Sequence, residues 1–142
     1  MEERLLTSRI ASDLFHVHND RISTYIKLLR EAGEPDLDVK AILERIIEES
    51  MLYKKQLREK MSTRIDEPGE IYQAWEKMKG TWNETDKKSI LAICAHDELV
   101  ITNTYSLALS SIDEPILKNL LEYQQQGLKQ LHAHIQQYHD AQ

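Results

Sequence analysis

His18, Glu49, Asp97 with Glu98 beside it, and His132 are the residues of this chain whose types could do chemistry together. Each lies on or beside an apolar stripe of helical period, one on each of four long segments. Asp97 falls on the third stripe with Glu98 at its rim. Carboxylates and imidazoles facing inward from several helices of a bundle converge on divalent metal ions. They equally place a few hydrogen bonds inside an apolar core. A carboxylate-bridged pair of irons takes a Glu from each of two helices and a Glu-x-x-His pair from each of the other two, because residues three apart share a helix face. The chain lacks that set. Leu52 stands three positions after Glu49, Lys129 stands three before His132, and no Glu-x-x-His occurs anywhere. A smaller site remains, with Glu49, Asp97 or Glu98, and His132 around one divalent ion of the iron, zinc or manganese type. The preferred expectation is structural: Asp97 holds His132, and Glu49 accepts a hydrogen bond from Tyr25 or Tyr105.

Other chemistries lack their residues. There is no Gly-rich phosphate loop, no strand-turn-helix nucleophile and no zinc-type cysteine pairing. Cys94 is the only cysteine, lies on an apolar stripe, and reads as a small core residue. His132, His134 and His139 give the C-terminus a histidine tinge that implies no more than incidental surface metal binding. The charges from Lys54-Lys55 through Arg58-Glu59-Lys60 read as a solvated helix face.

The elements that must position these groups are helices. Four glycines and three prolines among 142 residues leave little turn material, so the elements are few and long. The first helix is expected from about Ser8 to Gly33, with Phe15, Ile22, Ile26 and Leu29 on one face beside His18, Asn19 and Tyr25. His16 and Asp20 project the other way. Asp36 is the expected cap of a second helix carrying Val39, Ile42, Leu43, Ile46, Ser50, Tyr53, Leu57 and Met61, which ends before Asp66. Residues 65–84 form the longest connection. A short amphipathic helix from Ile71 to Lys79, with Tyr72, Trp75 and Met78 on one side, is expected to lie across the core, and Trp82 follows. The third long helix starts at Thr85 or Asp86 and carries Ile90, Ile93, Cys94, Ile101, Tyr105, Ala108 and Ile112. Asp113 is the expected cap of the fourth, with Pro115 in its first turn and Leu117, Leu121, Gln124, Leu128, Leu131, Ile135 and Tyr138 on its stripe. Gly127 costs helix propensity and implies a close approach by a neighbour. Short loops make each pair antiparallel, which brings His18 within a turn of Glu49 and Tyr53, and Asp97 level with Leu131, beside His132. The connection is long enough for a crossover, but its length also permits a simple reversal.

Length and composition agree with one soluble domain over residues 1–142. A net charge of −6 disfavours nucleic acid and anionic membrane surfaces. No apolar run reaches a membrane span, and the start Met1-Glu2-Glu3-Arg4 is unlike a signal peptide, so a cytoplasmic location is expected.

Asn19-Asp20-Arg21-Ile22 with Tyr25, Trp75 with Lys79, and the run Ile90-Leu91-Ala92-Ile93-Cys94 form a recognisable order, continued by Glu98, Tyr105 with Ala108-Leu109, Gln124 and His132. Together they resemble the bacterial domain-of-unknown-function 2383 family over nearly the whole chain. The resemblance implies an all-α, ferritin-like four-helix bundle of the rubrerythrin type, with a short extra helix between the second and third long helices. It also implies a homo-oligomer, and it brings no established catalytic residues. The chain departs from the family pattern where Asp97 replaces a glycine before Glu98 and where His18 stands at a position that tends to hold an amide. The function expected is a non-catalytic, stress-associated or self-associating interaction protein. The alternative is a metal-binding protein using Glu49, Asp97, Glu98 and His132.

Overall fold

The computed structural model describes residues 2–31, 37–61, 67–80 and 90–141. All regular structure among them is helical: α1 (Glu2–Glu31), α2 (Leu37–Arg58), α3 (Glu70–Gly80), α4 (Ile90–Ser111) and α5 (Pro115–Asp140). No described helix is long and apolar enough to cross a membrane. The expected stops and caps at Gly33, Asp36, Thr85 and Asp86, and the second tryptophan, Trp82, lie outside the described residues.

α1 begins well before Ser8. Ser8 and Ser12 are both buried inside the helix rather than at its start. Its buried face also differs from the expected one. Ile10, Leu14, Val17, His18, Arg21 and Tyr25 are buried, whereas Phe15, Ile22, Ile26 and Leu29 are only partly so. The stripe is rotated because Arg21 belongs to it, and a charged residue hides a buried face from a reading based on apolar spacing. α2 buries Ile42, Leu43, Ile46, Ser50, Tyr53 and Leu57, as its period predicts. It stops at Arg58, short of Asp66, in a tight turn where the Lys60 amide donates to the Leu57 carbonyl. α5 is capped by Glu114, not Asp113. The Glu114 carboxylate accepts from the amides of Ile116 (3.0 Å) and Leu117 (2.7 Å), and Pro115 takes the first helical position, where no amide is needed.

α1 pairs with α2, and α4 with α5. Contacts between the pairs set the directions. His18 meets Tyr105, while Arg21 and Tyr25 meet Glu98, so α1 and α4 are antiparallel. Gln124 reaches the Tyr53 carbonyl and Tyr138 reaches Asp38, so α2 and α5 are antiparallel as well. It follows that α2 and α4 run the same way. The chain between them returns from the Leu57 end to the Leu91 end, which resolves the open alternative in favour of a crossover. α3 lies on this return path against α1 and α4, with Ile71 and Trp75 buried. Asp13 of α1 accepts from the amides of Gly69 (2.9 Å) and Tyr72 (3.2 Å), capping α3 from outside. Asp20 accepts from the Tyr72 hydroxyl (2.5 Å) and the Trp75 indole (3.3 Å). The outward direction expected for Asp20 is therefore the direction of α3.

The apolar core is in two parts. One contains Leu14, Val17, Tyr53, Leu57, Ile101, Tyr105, Leu121 and Leu128. The other contains Tyr25, Ile42, Leu43, Ile46, Leu91, Cys94, Leu131 and Ile135. On α1, α2 and α4 the buried residues between the two parts are polar.

Candidate functional site

Those intervening residues are His18 and Arg21 of α1, Glu49 and Ser50 of α2, and Glu98 of α4. All but Glu49 are fully or almost fully buried. Arg21 is the hub. Its Nε donates to Glu98 Oε2 at 3.1 Å and its Nη2 pairs with Glu98 Oε1, a two-point grip that matches the planar guanidinium fork to a carboxylate. Its Nη1 donates to Ser50 Oγ at 2.9 Å. Glu49 Oε1 stands 3.0 Å from the same nitrogen and forms an ion pair with it. The Tyr25 hydroxyl also donates to Glu98, at 3.3 Å.

From Ser50 the network continues in one direction. Gln124 Nε2 donates to the Tyr53 carbonyl (3.3 Å) and to Gln56 Oε1 (3.0 Å), so Gln124 presents its oxygen to Tyr105. Tyr105 donates its one proton to that oxygen at 2.6 Å. Its own oxygen must then accept from His18 Nε2, 2.7 Å away. His18 Nδ1 is left as an acceptor and receives the Ser50 hydroxyl proton at 2.9 Å. Ser50 in turn accepts from Arg21. Counting donors and acceptors thus assigns a neutral His18 protonated on Nε2. The order of donation runs Arg21, Ser50, His18, Tyr105, Gln124, Gln56, and it touches all four long helices.

The electrostatics agree. Burial, helped by the Arg21 charge, holds the His18 pKa well below its ordinary 6.5. Burial alone would lower the Arg21 pKa, but the carboxylates of Glu98 and Glu49 outweigh it and hold the guanidinium more firmly protonated than usual. Burial pushes Glu49 above its ordinary 4.5, Arg21 opposes this, and Glu98 adds to it. Burial, with Glu98 nearby, raises the Cys94 thiol far from its reactive range, in keeping with a core role.

The sequence-predicted ligands are distributed differently from expectation. Glu98, placed at the rim, is fully buried, while Asp97, placed on the stripe, is partly exposed. His132 is also partly exposed. Among the described residues no three His, Cys, Asp or Glu side chains gather as a metal-binding group, so Glu49, Asp97, Glu98 and His132 do not form one. The inward carboxylates do not fit a metal centre of the carboxylate-bridged type, because the Arg21 guanidinium holds the position between Glu49 and Glu98. Nor does Glu49 take its hydrogen bond from Tyr25 or Tyr105, since those hydroxyls go to Glu98 and Gln124. His18 does meet α2 at the expected height, against Ser50 and with its ring 5.8 Å from that of Tyr53.

Arg21, Ser50, Tyr105 and Gln124 are the functional-looking groups that ligand spacing alone missed. Their signal was a run of polar positions on otherwise apolar stripes, together with Gly127. A β-carbon at Gly127 would overlap the Tyr53 hydroxyl, with Glu49 Oε2 at 3.7 Å, so glycine is what lets α5 approach α2 beside the layer. Comparisons with protein-family models, curated proteins and solved structures found no match to this chain.

Proposed function

We propose that this protein is a non-catalytic, self-associating interaction protein built on a ferritin-like four-helix bundle. The observation that carries the reading is the closed polar layer. Arg21 supplies the cation that the inward carboxylates need, and both nitrogens of His18 are engaged within the core. A layer of this kind fixes helix register and engages its charged groups with one another.

The parallel course of α2 and α4, with a return path holding α3, supports the ferritin-like connectivity. The resemblance to the domain-of-unknown-function 2383 family is part of this proposal. Arg21, Tyr25, Glu98, Tyr105 and Gln124, which carry it, all belong to the polar layer. Trp75 with Lys79 also recurs as a contact, with the ammonium 5.6 Å from the indole centroid.

Light scattering after size exclusion, over a wide concentration range, tests the reading. A dimer or larger assembly is expected. A strict monomer at the highest concentration would remove self-association.

A further inference from the structure

We draw no further inference here: the strongest candidate, the cleft of about 400 Å³ between the first half of α1, the start of α3 and the end of α4, lined in part by Leu6, Arg9, Ile10, Ile71 and Ser111, has its buried carboxylate, Asp13, already engaged in capping α3, and nothing in the structure shows what covers or fills it.

Discussion

Arg21 sits where a charged side chain is most costly to place, and every group around it acts to lower that cost. Glu98 grips it at two points, Glu49 adds a second negative charge, and Ser50 accepts a third hydrogen bond. Removing one partner of such a pair leaves the other buried and uncompensated. Arg21→Met is therefore expected to destabilise the fold by about 3–5 kcal/mol in urea unfolding. The double variant Arg21→Met with Glu98→Met, which removes both charges, should recover most of that loss. His18 gives a pH dependence of definite sign. Its folded pKa lies well below 6.5, so the unfolded chain takes up a proton that the folded chain refuses. Its contribution is full above that pH and is lost as pH falls below it, by at most about 1.4 kcal/mol per pH unit. Glu49 works the other way. Its folded pKa is raised above 4.5, so stability falls as pH rises through that window. Unfolding of wild type and His18→Gln between pH 5 and 8 separates the two, and the variant should show the shallower loss on acidification. The sequence was readable here only in part. Polar positions on apolar stripes were visible, but Asp97 was expected on the stripe and Glu98 at its rim, whereas Glu98, four after Cys94 and three before Ile101, is the buried one. Nor could the apolar period show that a neighbouring arginine would turn inward to neutralise the buried one.

Element by element, the pattern was far more legible. The buried faces of α2 and α5 follow the expected apolar period almost residue for residue, whereas α3 buries Ile71 with Trp75 and leaves Tyr72 and Met78 partly buried. The errors lie where a local signal competed with a tertiary one. Ser8 was expected near the start of α1, yet it is buried within the helix because α1 begins at Glu2. Asp113 looked like a cap, yet Glu114 reaches the free amides of α5. Gly127 was readable as a close-approach position, and Tyr53 is what approaches. Gly127→Ala should gain about 1 kcal/mol of helix propensity but lose more by collision with Tyr53. A net destabilisation of about 1–2 kcal/mol is expected from overpacking, measured by thermal or urea unfolding. Tyr53→Phe removes the colliding hydroxyl, so adding it should recover most of the loss and show coupling between the two sites.

For the whole molecule, the two antiparallel pairs and the crossover make one arrangement in which α1, α2 and α4 send polar groups to a single level between two apolar parts, and Tyr105 and Gln124 carry the network on into one of them. Inward polar residues alone could not distinguish a metal centre from a self-satisfied layer, because both use carboxylates and imidazoles on helix stripes. The cation already present in the chain makes the difference. Metal analysis of untagged protein, incubated with ferrous, zinc or manganous ions and then desalted, tests this most directly. The account predicts far less than one ion per chain, unchanged by Glu98→Gln or His132→Ala. One tightly held ion per chain, lost in both variants, would contradict it.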